Sequence, residues 1–155
     1  MSADVGMKAP VFSLKDKGGR PHSLEDFKSE CLVVYFYPRD STPGCTIEAK
    51  GFTRDLEKFR EAGTEIIGIS GGDEKTKTKF CNKHGLGVLL LSDPGFTVSK
   101  KYGAYGEKSF MGRKFQGIHR RTFVLDRNRT KIKVFEKPKV ISHSREVLDF
   151  IKGLK

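Results

Sequence analysis

The sequence predicts an α/β fold: a central mixed β-sheet flanked by helices, with a β-hairpin at its N-terminus. Short apolar runs alternate along the chain with segments of helical periodicity, a pattern typical of parallel strands joined by helices. Pairs of short extended segments before and after this region predict hairpins, which add antiparallel strands. The 155 residues suffice for one domain, predicted to span residues 1–155, and are too few for two of ordinary size.

The predicted elements follow the order β-β-α, then β-α-β-α-β-α, then β-β-α. The first hairpin occupies residues 12–23 around a Gly-Gly turn, and residues 23–27 form one helical turn. Further strands are predicted at residues 31–36, 64–70, 87–92, 121–125 and 131–135, and helices at 46–62, 73–84, 96–102 and from 142 onward.

Two predictions concern the second half of the chain. Residues 103–117 are rich in glycine and lack periodicity, so we expect a long loop, which in a small domain is often functional. The last helix is predicted to bury four apolar residues: Val147, Phe150, Ile151 and Leu154.

A single cysteine, Cys45, stands where the strand at residues 31–36 gives way to its helix. Pro43 and Gly44 precede it and leave room beside the thiol, because proline lacks an N–H and glycine lacks a side chain. The first N–H groups of a helix have no partners within it, and the helix dipole places partial positive charge there. Both features favour the thiolate, which is the nucleophilic form of cysteine. Thr42 lies three residues earlier, so its hydroxyl can turn toward the sulfur or toward whatever the sulfur attacks.

The spacing of Thr42 and Cys45 is also that of a C-x-x-C dithiol, but a hydroxyl replaces the first thiol. The sequence therefore favours a nucleophile with one thiol over a dithiol exchanger.

Several segments resemble a known family. The spacing of Pro38, Thr42 and Cys45 is similar to the peroxidatic motif of peroxiredoxins. Residues 35–38 (Tyr-Phe-Tyr-Pro) and 42–46 (Thr-Pro-Gly-Cys-Thr) resemble the peroxiredoxin Q, or bacterioferritin comigratory protein, subfamily. The likeness covers nearly the whole chain and continues through residues 91–93 (Leu-Ser-Asp), 105–112, 117–120 (Gly-Ile-His-Arg) and 122–126 (Thr-Phe-Val-Leu-Asp).

The resemblance implies a thioredoxin-like fold and a peroxidase without cofactor or metal. Cys45 is then the peroxidatic cysteine, whose thiolate attacks hydrogen peroxide or an organic hydroperoxide and becomes a sulfenic acid. The family pattern Arg-x-Thr-Phe-x-x-Asp, counted back from Asp126, makes Arg120 the cation beside the thiolate. Its neighbour Arg121 is expected to point to the opposite face, because side chains alternate along a strand.

The same resemblance gives roles to two further residues. The hydroxyl of Thr42 and the backbone N–H of Cys45 are expected to hold the peroxide oxygens in line. Pro38 is expected to shield the thiolate from bulk water.

The sequence says less about which thiol reacts with the sulfenic acid in the next step. Many members of the subfamily carry a second cysteine five residues after the first, where this chain has Lys50. Cys81 resembles the other placement of the resolving cysteine, and an intramolecular disulfide between Cys45 and Cys81 would be reduced by a thioredoxin or glutaredoxin-type protein. The two cysteines are expected on different helices, so both helices have to unwind locally to bring the thiols together. Cys31, at the start of a buried strand, is interpreted as a packed core thiol.

Three alternatives remain open at this point. An external thiol could reduce Cys45 directly, in a one-cysteine mechanism. A cysteine hydrolase would use Cys45 as nucleophile and His119 as base, although no third, orienting residue is evident. A thioredoxin-fold adaptor would instead bind a partner or nucleic acid through its basic surface.

Composition limits the other classes. Thirty Lys and Arg against nineteen Asp and Glu give a net charge of +11, but these cations are scattered and accompany no nucleic-acid-binding motif, so they predict a solvated surface rather than specific binding. No apolar run approaches the roughly 18 residues of a membrane span, so no membrane partner is expected. An odd count of three cysteines, with no signal peptide in residues 1–8, predicts a reducing intracellular compartment, the cytoplasm first, or the nucleus or an organelle if a leader has been removed. A monomer is expected.

Overall fold

The computed structural model describes residues 5–154, so the predictions for residues 1–8 and for the outer bounds of the domain fall partly outside it. The described strands are β1 (Ser13–Lys15), β2 (Pro21–Ser23), β3 (Cys31–Phe36), β4 (Thr64–Ser70), β5 (Leu89–Ser92), β6 (Tyr105–Phe110), β7 (Arg113–Ile118), β8 (Arg121–Leu125) and β9 (Lys131–Glu136). The described α-helices are α1 (Pro43–Glu61), α2 (Glu74–His84), α3 (Thr97–Lys101) and α4 (His143–Lys152), and short 3₁₀ turns cover Leu24–Asp26 and Pro94–Phe96.

Within residues 5–154, seven strands form one mixed sheet in the order β2-β1-β5-β4-β3-β8-β9. The centre is parallel, because β3 pairs with β4 and β4 with β5 through helical crossovers. Antiparallel strands complete both sides: β1 and β2 beside β5, and β8 and β9 beside β3. The predicted mixed α/β sheet with an N-terminal hairpin is confirmed.

Side chains of β3 alternate between two apolar cores on opposite faces of the sheet. Val33 and Tyr35 pack with α1, α2 and α4, a face that also holds Cys45 and Cys81. Leu32, Val34 and Phe36 pack on the other face with α3 and the N-terminal segment, as the period of two in a strand requires; the residues on that face include Phe12, Leu14, Val98 and Tyr102. Both candidate thiols therefore lie on the same side of the sheet.

The loop predicted for residues 103–117 is wrong. Strands β6 and β7 form a separate antiparallel hairpin there, with Phe110 paired to Arg113 across the two-residue turn. Met111 and Gly112 both have positive φ, at 50° and 79°, as in the type I′ turns that suit hairpins. The signal was missed because most side chains of these strands are exposed, so they show no apolar alternation.

Two predictions on the helices also need correction. Helix α1 begins at Pro43 rather than near Thr46, because the fixed φ of proline suits the first helical position and its missing N–H costs nothing there. In α4, Val147 and Ile151 are buried as predicted, but Phe150 is only half-buried. Leu154 lies beyond the end of the helix and is 49% exposed, while Leu148 is buried instead.

Candidate active site

Cys45 lies in the first turn of α1 and is 1% exposed. Thr42 is the N-cap, and the first helical hydrogen bond runs from Thr46 N to the Thr42 carbonyl over 2.9 Å. The amides of Gly44 and Cys45 precede that bond, so they have no acceptor within the helix. The sulfur is thus held at the positive end of a 19-residue helix.

Arg120 lies beside the sulfur. Its Nη2 donates to Cys45 Sγ over 3.4 Å, and its side chain is 19% exposed. Gly44 leaves room for this approach, since a Cβ at that position would stand only 3.3 Å from the same Nη2. Arg121 points elsewhere, with Nη1 donating to the Gly103 carbonyl over 3.0 Å.

Glu48 is a member of the site that the sequence analysis did not identify. Its Oε1 accepts from Arg120 Nη1 over 2.6 Å, and its side chain is fully buried. Burial raises the pKa of Glu48 to about 7, and the charge and hydrogen bond of Arg120 only partly offset that effect. Its second oxygen has no hydrogen-bond partner among the described residues. A sequence signal existed, since a residue three positions after Cys45 shares its helix face.

Thr42 and Pro38 stand at the two ends of the loop that leads into α1. The Thr42 hydroxyl donates to the Arg39 carbonyl over 3.1 Å, which leaves its lone pairs available as acceptors. Pro38 lies two residues after the end of β3 and is half-buried. Both residues therefore lie on the segment that brings the chain from the sheet to the thiol.

Cys81 is buried in α2, in the same apolar core as Cys45. Burial raises the pKa of the Cys81 thiol, and the nearby Lys17 and Lys77 work against that shift. Cys31 begins β3 and is only partly buried, so it is less enclosed than a core thiol was expected to be. Cys45 and Cys81 are both free thiols in the structure, so no disulfide joins them.

The β6–β7 hairpin contributes Lys108 to the surroundings of the thiol. Its Nζ donates to the Ile118 carbonyl over 2.9 Å. Burial and the charge of Arg120 lower the pKa of Lys108, while Cys45 raises it, so the three charges influence one another. The hairpin therefore brings a second cation toward the thiol.

His119 does not pair with Cys45. Its Nε2 faces Gly106 on β6, and the hydrogen bond to the sulfur comes from a guanidinium instead. Among residues 5–154 no cluster of three or more His, Cys, Asp or Glu side chains is arranged to hold a metal ion. In the same part of the chain, no helix is both long and apolar enough to cross a membrane.

Comparison with known proteins agrees with this geometry. Residues 5–134 match the AhpC/TSA family. The chain is 39% identical to peroxiredoxin Bcp of Escherichia coli over 148 residues, which cover 96% of this chain and 95% of that protein. It is 38% identical to peroxiredoxin Bcp of Bacillus subtilis over 154 residues, or 99% and 98% of the two chains.

A solved structure of the bacterioferritin comigratory protein of Xanthomonas campestris, which has alkyl peroxide reduction activity, superposes with a TM-score of 0.90. The two chains are 33% identical, and the match covers 98% of each. The thioredoxin-like fold is thereby established. A buried cysteine at a helix start, a guanidinium against its sulfur and this close relationship lead to one conclusion: the chain belongs to the AhpC/TSA family and is a peroxiredoxin, a thiol peroxidase.

Proposed function

We propose that Cys45 is the peroxidatic cysteine and that the enzyme reduces both hydrogen peroxide and organic hydroperoxides. The observation that carries the proposal is the 3.4 Å contact between Arg120 Nη2 and Cys45 Sγ at the first turn of α1. A guanidinium and unpaired helix amides stabilise a thiolate and the negative charge that develops on the peroxide oxygens. The alkyl peroxide activity of the Xanthomonas campestris relative supports the inclusion of organic hydroperoxides.

The first step is a displacement on oxygen. The Cys45 thiolate attacks the terminal peroxide oxygen, an S–O bond forms, and the O–O bond breaks. Sulfur is oxidised by two electrons to the sulfenic acid, and the departing alkoxide or hydroxide takes up a proton to become an alcohol or water. Thr42 accepts a hydrogen bond from the peroxide, the Cys45 amide donates one, and Pro38 limits access of water to the sulfur.

The second step is resolution by Cys81. The Cys81 thiol attacks the sulfenic sulfur, an S–S bond forms, the S–OH bond breaks, and water leaves with the thiol proton. A thioredoxin or glutaredoxin-type dithiol then supplies two electrons and restores both thiols. This cycle needs a reducing compartment, so we place the enzyme inside the cell, in the cytoplasm. We also propose that it is a monomer.

Thiol counting tests the two-cysteine cycle. Treatment of the reduced protein with one equivalent of hydrogen peroxide should remove two free thiols per chain. Cys81→Ser should lose only one and accumulate a sulfenic acid, and Cys31→Ser should behave as wild type. A wild-type protein that retains Cys81 as a free thiol would instead favour the one-cysteine mechanism, in which an external thiol reduces Cys45.

A further inference from the structure

Lys77 is a lysine with no exposed surface at all. Its ammonium group donates to three acceptors: the Asp40 carboxylate over 3.0 Å, the Ser70 hydroxyl over 2.9 Å and the Gly71 carbonyl over 2.7 Å. The three protons of the ammonium group are therefore all used. Lysine is rarely buried without such pairing, because an unpaired buried charge is strongly unfavourable.

Asp40 receives hydrogen bonds from its own loop and from helix α2. Its Oδ1 accepts from the Tyr37 hydroxyl over 2.7 Å, and its Oδ2 accepts from the Thr76 hydroxyl over 2.9 Å as well as from Lys77. Asp40 lies in the loop between Pro38 and Thr42, whereas Thr76 and Lys77 lie in the first turn and a half of α2. We call this group of Tyr37, Asp40, Thr76 and Lys77 the Asp40–Lys77 clamp.

The backbone is shaped to accommodate the clamp. Gly72 has a φ of +89°, and a Cβ there would stand 2.6 Å from Thr76 Oγ1 and 3.1 Å from Asp40 Oδ2. Only glycine fits this position. The clamp thus joins the loop before Cys45 to helix α2, and the backbone at Gly72 leaves space for it.

The position of Cys81 gives the clamp a consequence for the reaction. Cys81 follows Lys77 by four residues and so lies one turn further along the same side of α2, where it is 6% exposed. Unwinding of α2 toward its N-terminus breaks the helical hydrogen bonds around Lys77. The Lys77 ammonium group then becomes exposed or separates from Asp40. The clamp therefore opposes the helix opening that Cys81 needs to reach another helix.

We propose that Asp40 and Lys77 are positioning residues for the resolution step: their clamp holds α2 wound while peroxide reacts at Cys45, and its release sets the rate at which Cys81 forms the disulfide. This inference rests on the two-cysteine cycle proposed above. It assigns the clamp to the second step and leaves the chemistry of the first to the groups around Cys45.

Tyr37→Phe tests the inference with little risk to the fold, because it removes the hydroxyl that helps to hold the Asp40 carboxylate toward Lys77 and leaves that ion pair in place. Tyr102→Phe is the matched control, since Tyr102 is equally buried and donates over the same 2.7 Å, but to the Pro10 carbonyl on the other face of the sheet. After one equivalent of hydrogen peroxide, Tyr37→Phe should form the disulfide at least about tenfold faster, the factor that one hydrogen bond to a charged group represents. Tyr102→Phe should match wild type, and both variants should form the sulfenic acid at the wild-type rate.

Two further readouts do not depend on the rate of disulfide formation. Hydrogen exchange of the α2 amides in the reduced protein should accelerate in Tyr37→Phe and not in Tyr102→Phe. Acylation of lysines in the unmodified protein should spare Lys77 in the reduced form and reach it in the disulfide form, while the exposed Lys75 and Lys79 react in both and serve as internal standards.

The outcomes separate the two proposals. A disulfide that forms equally fast in both variants, or leaves Lys77 as protected as in the reduced protein, overturns the role of the clamp and leaves the two-cysteine cycle intact. A wild-type protein that forms no Cys45–Cys81 disulfide overturns the cycle and, with it, the role assigned to the clamp.

Discussion

Nη1 of Arg120 lies 2.6 Å from Oε1 of Glu48, and this ion pair orients the guanidinium so that its other terminal nitrogen faces the Cys45 sulfur. Glu48 belongs to the same helix as Cys45, one turn further along. Helix α1 thus carries both the thiol and the carboxylate that positions the cation acting on it.

Arg120→Lys should lower the second-order rate constant for hydrogen peroxide by about two orders of magnitude, because a single ammonium cannot donate to Glu48 and to sulfur in this forked geometry. The measurement is stopped-flow oxidation of the reduced protein at neutral pH. Arg121→Lys is the control, since its guanidinium is directed at Gly103, and it should retain the wild-type constant. Equal losses in the two variants would show that the loss does not come from the forked contact of Arg120 with Glu48 and sulfur.

Glu48 should make stability depend on pH in an unusual direction. Its pKa is about 7 in the folded protein against 4.5 for the free side chain, so the folded state binds the proton more tightly. This stabilisation is fully present below pH 4.5 and is lost as pH rises through 7, a change of about 3 kcal/mol. The measurement is the unfolding free energy of wild type minus that of Glu48→Gln, which should fall from pH 4 to pH 8; a difference that stays flat or rises refutes the burial effect.

His143 should produce the opposite dependence. It is fully buried, with Nε2 placed 2.6 Å from the Thr122 hydroxyl. Burial lowers its pKa from 6.5 to about 4, although Glu146 acts in the other direction. The neutral ring contributes stability above pH 6.5 that is lost as pH falls toward 4, on the order of 3 kcal/mol.

Subtraction of the His143→Gln unfolding free energy from that of wild type isolates this contribution from that of Glu48. The difference should decrease on acidification between pH 6.5 and pH 4. An increase over that range would mean that His143 is protonated in the folded protein.

Tyr35→Phe should leave the free energy of unfolding unchanged or raise it slightly. The Tyr35 hydroxyl is fully buried and has no hydrogen-bond partner among the described residues, so removing it relieves an unsatisfied polar group. Tyr102→Phe, which gives up the bond to Pro10, should lose about 1 kcal/mol. Urea unfolding of the two variants side by side decides the point, and a larger loss at Tyr35 would reveal a partner for its hydroxyl.

The sequence predicted β3 and β4 to the residue because their signal is local, whereas β5 begins at Leu89, two residues later than predicted. Both β3 and β4 are runs of apolar, largely β-branched or aromatic residues, and their predicted bounds are those observed. The β6–β7 hairpin is not predictable from apolar alternation because its strands are mostly exposed, and its glycines are typical of a loop. The start of α1 was placed too late because Pro43 and Gly44 interrupt helical periodicity even when proline occupies the first helical position.

The candidate site divides in a similar way. Cys45 and Arg120 could be identified as site residues from sequence motifs, because each motif is a short pattern of fixed spacing. Glu48 and Arg120, which form one ion pair, lie 72 positions apart in the sequence. Lys77 and Asp40, which form the other, lie 37 positions apart. No local pattern marks such pairs, since burial of a charge depends on which elements the fold packs together.

The most direct test of the account is the reaction of the reduced protein with one equivalent of hydrogen peroxide in Cys45→Ser and Cys81→Ser, followed by stopped flow. We expect no peroxide consumption by Cys45→Ser. Cys81→Ser should consume peroxide at the wild-type rate and end with one sulfenic acid per chain. Peroxide consumption by Cys45→Ser at the wild-type rate would contradict it.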